Sequence, residues 1–367
     1  MPSIARLGVS LLPLAAGAHA LGSYTSSRNE TPKDNNADCN CYVVSSGVDS
    51  ATPEYFQYYR FYDFRNLAGG LTTPPVQVNN SDGLEPSWQP AVFDSDDWKY
   101  DWGTQNWSKP ATDDFPIPMT NSYANIYVAE ENEASYLAMR TSREPDFQSA
   151  AEMENEQKNL MHVSMRMYGR VVGDKGAVAG FFTFVDDDNE SDIEILTRDP
   201  IDTIRYTNQP AVKDGNEVAA ASVTSTSLPS WENWQTHRID WLPKHSYWYL
   251  NGKQVAANTY SVPRKSSYMV LNMWSDGGEW SGNMTVDHSA EFHVQWIEMA
   301  FNTSGPYAGK NEKRGKKKGC EVVCKIDDVK QIGTPEVVSV NKSAAAAVGV
   351  SWGLFAVVAV ASFVVGL

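Results

Sequence analysis

Cysteine is scarce in this 367-residue chain: Cys39, Cys41, Cys320 and Cys324 are all there is. Their C-x-C and C-x-x-x-C spacings are not those of a zinc finger, and no H-E-x-x-H occurs, so no metal is expected. Cationic side chains are also few, 30 Lys+Arg against 45 Asp+Glu for a formal charge of −15. Such a chain repels polyphosphates and anionic membrane surfaces, which argues against a nucleic-acid partner. Helical periodicity is sparse, no internal repeat is visible, and neither a nucleophilic serine elbow nor a phosphate-binding glycine loop is present. What is plentiful is apolar and aromatic: 42% hydrophobic residues exclude low-complexity disorder for most of the chain, and 12 Trp and 17 Tyr exceed what core filling requires. Flat rings that stack on sugars are one use for that surplus.

The two ends read as processing signals. Residues 1–20 combine Arg6, an apolar stretch over 7–17 and the small-residue site Ala18-His19-Ala20, the layout of a secretory signal peptide cleaved before Leu21. Residues 344–367 form an uncharged run with no basic residue beyond it. With Asn341 as attachment residue, the spacer and tail fit a lipid-anchor signal, preferred here to a membrane-spanning helix. Trimming removes Arg6 and Lys342 and no acid, which takes the formal charge from −15 to −17. A secreted protein at the cell surface or wall is expected. In that setting the four cysteines read as disulfides, with all three connectivities open; pairs joining the two ends would each close a loop of about 280 residues, worth up to roughly 5 kcal/mol. N-x-[ST] sequons stand at Asn29, Asn79, Asn106, Asn189, Asn283, Asn302 and Asn341.

Between the ends the texture is short alternating runs separated by Gly, Asn, Asp and Pro, as at 136–140, 162–168, 178–184, 192–196, 247–250, 269–273 and 292–299. Asn251-Gly252 between two such runs marks a hairpin. The expected fold is all-β, one sandwich of two antiparallel sheets over residues 55–303. An N-terminal segment at 21–54 precedes it, a basic, cysteine-containing tail at 304–341 follows, and the hydrophobic signal at 342–367 comes last.

The chemistry concentrates at residues 190–194, Glu-Ser-Asp-Ile-Glu. On a strand, Glu190, Asp192 and Glu194 project from one face while Ile193 and Ile195 face the core. Like charges in one row repel, and a purely structural strand gains nothing from them. The acidic turn at 186–188 is read as solvated rather than calcium-binding, and His237 as a residue at a strand edge.

The wider context resembles glycoside hydrolase family 16, the concanavalin A-like β-glucanases, in a secreted fungal-type form. The carboxylate strand is similar to the family's E-x-D-x-E strand. His237-Arg238-Ile239-Asp240-Trp241, Trp248-Tyr249-Leu250-Asn251-Gly252-Lys253, Met269 to Trp274 and Phe292 to Ile297 follow in the family's order. Asn251 and Ser191 depart from the common pattern, the second weakening the packing behind the catalytic strand. The resemblance implies a jelly roll and a retaining glycosidase, in which one carboxylate attacks the anomeric carbon and another, ~5–5.5 Å away, protonates the leaving oxygen. Glu190 is then the nucleophile, Glu194 the acid/base, its proton affinity raised by like-charge coupling, and Asp192 tunes both. Asn272, Trp274 and Trp280 are the expected sugar contacts, with Arg166, on the polar face of Ser164/Arg166/Tyr168, a weaker candidate. A glycan on Asn189 would crowd the cleft, so that sequon is expected empty. The expected partner is β-glucan or another wall polysaccharide, bound by a monomer without cofactor. A wall transglycosylase using the same site, or a non-catalytic carbohydrate-binding protein on the same sandwich, is the alternative.

Overall fold

In the computed structural model the described residues are 24, 26–28, 39–67, 91–132, 134–305 and 320–340. The expected signal peptide, the hydrophobic C-terminal run, most of the basic linker and the sequons at Asn29, Asn79 and Asn341 lie outside them.

Strands alternate apolar core residues, many of them aromatic, Met or Ile, with polar ones, and this periodicity of two sorts them into two stacked sheets. The front sheet runs, in spatial order, Ser222–Ser225, Ile204–Asn208, Asn189–Leu196, Val178–Asp186, Tyr268–Trp274, Gln148–Asn155 and Trp102–Thr104, all antiparallel. The back sheet runs Lys253–Asn258, Ser246–Leu250, Gln235–Trp241, Leu160–Gly173 and Ser289–Thr303. Beyond that last strand lie Tyr58–Asp63 beside one half and Ala134–Arg143 beside the other. Gln148–Asn155 belongs to both sheets. Its first residues pair with Met119–Asn121 and Ala134–Arg143 of the back layer, its later ones with Tyr268–Trp274 of the front.

Between the layers lie Ala179, Phe181, Ile193, Ile195, Tyr206, Leu271 and Met273 from the front and Met165, Met167, Ile239, Trp241, Trp248 and Met299 from the back, all buried in one core. The expected Asn251-Gly252 turn is present, both residues having positive φ (50° and 79°), the mirror-image turn that a right-twisted hairpin requires. One expectation fails here. His237 is not at an edge: its strand lies between Leu160–Gly173 and Ser246–Leu250, the ring is buried, and burial pushes its pKa down to about 4.

The flanking segments fold together instead of trailing. Cys41–Ser46, Thr52–Phe56, Val322–Lys325 and Glu336–Val340 make a separate four-stranded sheet. Disulfides Cys39–Cys324 and Cys41–Cys320 tie its two chain segments and choose one of the three open connectivities. This small sheet packs Tyr42, Val44, Phe56, Cys324 and Ile326 onto Tyr59, Phe61, Leu242 and Trp296, on the outer face of the back sheet.

Candidate active site

The hairpin Val178–Asp186/Asn189–Leu196 sets the carboxylates. Its register places Phe184 opposite Glu190, Phe182 opposite Asp192 and Gly180 opposite Glu194. Ser191, Ile193 and Ile195 point between the sheets and are buried, which commits Glu190, Asp192 and Glu194 to the open face. Behind the strand, Ser191 has a hydroxyl contact with Ser246 of the back sheet at 3.4 Å, so the departure from an apolar residue is met by a polar partner. The turn before the strand is held by side chains: Asp186 accepts from Asn189 Nδ2 and from Lys265 Nζ, each at 2.7 Å. Asn189 is buried by these bonds and by accepting from the backbone of Arg264, which ties down the amide a glycan would need.

Asp192 is only 2% exposed, whereas Glu190 and Glu194 are half-buried. Burial lifts both glutamates to about 7; a hydrogen bond with Asp192 opposes the rise at Glu190, and the Trp280 N–H and the Arg205 charge oppose it at Glu194. Asp192 is raised well above the usual carboxylate range, by burial first and then by the charges of Glu190 and Glu194. The expected cause therefore needs correcting: desolvation, not like-charge coupling, is the main reason Glu194 holds its proton, and the repulsion falls chiefly on Asp192 and Glu190. Three carboxyls so placed repel one another, and burial together with the charges of Glu190 and Glu194 favours the neutral form of Asp192.

Cross-strand registers extend the site into a transverse row, Glu152–Asn272–Gly180–Glu194–Arg205, one residue from each of five adjacent strands. Gly180 is required in it, because a Cβ there would come within 2.5 Å of Asn272 Oδ1. Beyond Asn272 a pocket of ≈ 140 Å³ is lined by Trp107, Met119, Asn121, Glu152, Trp274 and Asp276 among others. Glu152 accepts from Trp107 Nε1 at 3.0 Å, and burial raises it to about 7. Asn121 Nδ2 and Asn272 Oδ1, beside this pocket, are buried atoms without a hydrogen-bond partner among the described residues. On the Glu190 side the floor is aromatic: Phe182, Phe184 and Tyr268 are partly exposed, with edge-to-face contacts between neighbours.

Of the residues expected at the site, the structure brings together Glu190, Asp192, Glu194, Asn272, Trp274 and Trp280. Trp274 lines the pocket, and Trp280 donates its Nε1–H to Glu194 Oε1 at 3.1 Å. Arg166 is not among them. It sits on the outer face of the back sheet, bonded to Asp327 at 2.9 Å and facing Glu298 at 3.7 Å beneath the small sheet. Sequence reasoning missed Glu152, Trp107, Gly180, Arg205 and the aromatic floor. The alternation of Glu152 and Glu154 was a readable signal for the first; Trp107 lies in the loop before the short strand Ser108–Lys109 and carried none.

The family model for glycosyl hydrolases family 16 matches residues 114–298, half of the chain. A xylanase/beta-glucanase of Ruminococcus flavefaciens is 27% identical over 139 residues, 35% of this chain and 16% of that protein. A beta-glucanase of Brevibacillus brevis is 26% identical over 133 residues, covering 34% of this chain and 49% of its own length. The chain thus spans about a sixth and about half of these two curated relatives. Among solved structures, a Bacillus licheniformis beta-glucanase superposes with a TM-score of 0.45 at 18% identity, over 55% of this chain and 92% of that one. The endo-beta-1,3-glucanase of Pyrococcus furiosus gives 0.43 at 18%, over 56% and 90%. The matched span contains the carboxylate strand, the pocket-lining residues named here except Trp107, and the Trp280 loop, and the chain belongs to glycosyl hydrolases family 16.

Proposed function

We propose that the chain is a retaining glycoside hydrolase acting on β-glucan, with Glu190 as nucleophile and Glu194 as acid/base. The observation that carries this reading is the row of three carboxyls on an open sheet face, the central one buried and raised in proton affinity, in line with a pocket beside which one amide atom each of Asn121 and Asn272 has no partner among the described residues. Asp192, whose burial and charged neighbours favour its neutral form, keeps its proton and donates a hydrogen bond to Glu190, which attacks the anomeric carbon as the carboxylate. Glu194 gives its proton to the departing oxygen as the glycosyl–Glu190 ester forms. It then takes a proton from water, which attacks the ester and frees Glu190. With both glutamates near 7, the active form has one ionised and the other protonated, so kcat/KM follows a narrow bell centred near neutral pH.

The polymer crosses the strands. From Glu152 to Glu194 is three strand spacings, ~14 Å, which suits an oligosaccharide segment and not a single sugar. Trp107 and Trp274 offer faces to sugar rings, while Glu152, Asn121 and Asn272 bond hydroxyls. Export fits the two disulfides, which require an oxidising compartment. The signal-like residues 1–20 and 344–367 point to a protein delivered to the cell surface.

The test compares wild type and Glu190→Gln on mixed-linkage, β-1,3 and chitin-type glucans, following product stereochemistry by NMR. Wild type should release β-configured product first, and the substitution should lower turnover roughly 10³-fold or more. Wild type that binds glucan without cleaving it would overturn the enzymatic reading, and α-configured first product would overturn retention.

A further inference from the structure

Turnover by the proposed route requires Glu194 to keep a proton until attack and to accept one afterwards, so whatever holds its carboxyl controls both half-reactions. Arg205 faces Glu194 directly across the strand pair. Its Nε and Nη2 donate to Asp199 at 2.8 and 3.2 Å, and its guanidinium lies 4.8 Å from the centroid of the Trp280 ring. Trp280 in turn donates Nε1–H to Glu194. Asp199 is itself fixed to the end of the carboxylate strand, its N–H donating to Leu196 O at 2.9 Å. The contacts therefore form a closed circuit, from the carboxylate strand through Asp199, Arg205 and Trp280 back to Glu194.

We propose that Arg205, anchored by Asp199, is a positioning residue for the acid/base step: it pins the Trp280 indole so that its N–H stays on Glu194, and its charge sets the point at which Glu194 gives up its proton. The inference rests on Glu194 being the acid/base. A guanidinium suits the task because its plane stacks on an indole while its edge grips a carboxylate at two points; an ammonium does only the second, and at one point. Both contacts favour the ionised Glu194 against the burial that raises it. The remaining charges facing Glu194 act the other way, Asp192 and Glu190 on its own strand. The strand on its other side presents Gly180, and Asp276 of the Trp280 loop is turned to Gly278 and Ser281.

The experiment measures kcat/KM against pH for the full chain and for Arg205→Met, Arg205→Lys and Trp280→Phe. One substrate is a soluble β-glucan; the other is a gluco-oligosaccharide with a 2,4-dinitrophenyl leaving group, which departs without a proton. Arg205→Met should lower kcat/KM on glucan about tenfold and move the alkaline limb up by about half a pH unit, while changing the dinitrophenyl rate less than about twofold. Arg205→Lys should keep the limb near its wild-type position. Trp280→Phe, which keeps the ring and removes the N–H, should reproduce the selective loss even if the methionine variant does not fold. Equal losses on both substrates with an unmoved limb would overturn the proposal. Glu194→Gln separates the two levels: if it spares glucan as much as the dinitrophenyl substrate, the acid/base assignment itself falls, whereas the expected selective loss there beside an unselective Arg205→Met removes only the role given to Arg205.

Discussion

Two sheet faces of this molecule carry rows of charged side chains at alternate positions, and they behave in opposite ways. On the front face the row is Glu190, Asp192 and Glu194, of one sign, short of cations and raised in proton affinity. On the outer face of the back sheet, Arg166 and Arg238 meet Asp240, Glu298 and Asp327, so the charges pair. Asp327 stays below its usual range despite burial, because Arg166 and Arg238 outweigh it. Alternation alone made Arg166 resemble a site residue. Sign balance separates the two: a row of like charge kept near a cleft is chemistry, and a balanced row under a covering sheet is architecture.

The largest way to test that division is to remove the cover. Replacing all four cysteines by serine opens a loop of 285 residues and should lower unfolding stability by more than about 5 kcal/mol in urea melts. Removing Cys41–Cys320 alone should cost only about 2 kcal/mol, because Cys39–Cys324 already closes the long loop and the second link closes a small ring. If both variants match wild type, the small sheet does not hold the back face. A smaller effect is expected from Asp327→Ala, which leaves Arg166 and Arg238 facing a buried gap and removes the bond accepted from Ser45 N at 2.6 Å. About 3 kcal/mol of stability should be lost with KM for glucan unchanged. A KM that rises with the loss would break the comparison, since it would couple the back face to the cleft.

Much of the front face was legible before any coordinates. The two-residue period placed Ile193 and Ile195 inward and the acids outward, and Asn251-Gly252 fixed a turn, both local consequences of strand geometry. Asn272 and Trp274 were placed at the cleft by the family resemblance alone. What was hidden needed non-local pairing. Glu152 joins Glu194 only because Gln148–Asn155 crosses between the sheets and reaches the front layer beside Tyr268–Trp274. Arg205 meets Trp280 through a register and a loop separated by some seventy residues of sequence. The segments outside residues 55–303 looked like tails because each is too short to bury a face alone. They become a sheet only when Cys41–Ser46 lies alongside Val322–Lys325.

The front face should also pay a stability penalty that the back face does not, and its pH dependence gives the sign. Glu190 and Glu194 sit near 7 in the native state against about 4.3 unfolded, so the native state binds more protons than the unfolded chain between those values. Their contribution to stability is full below about pH 4 and is lost as pH rises through about 7. Glu190→Gln removes one ionisation without removing the side chain's bulk. At pH 8 the variant should be more stable than wild type by on the order of 1–2 kcal/mol, and at pH 4 the two should coincide. Urea denaturation at both pH values checks it. A substitution that is destabilising at pH 8 would mean that the ionised carboxylate is already satisfied in the fold, and the cleft would then be no different in kind from the balanced row behind it.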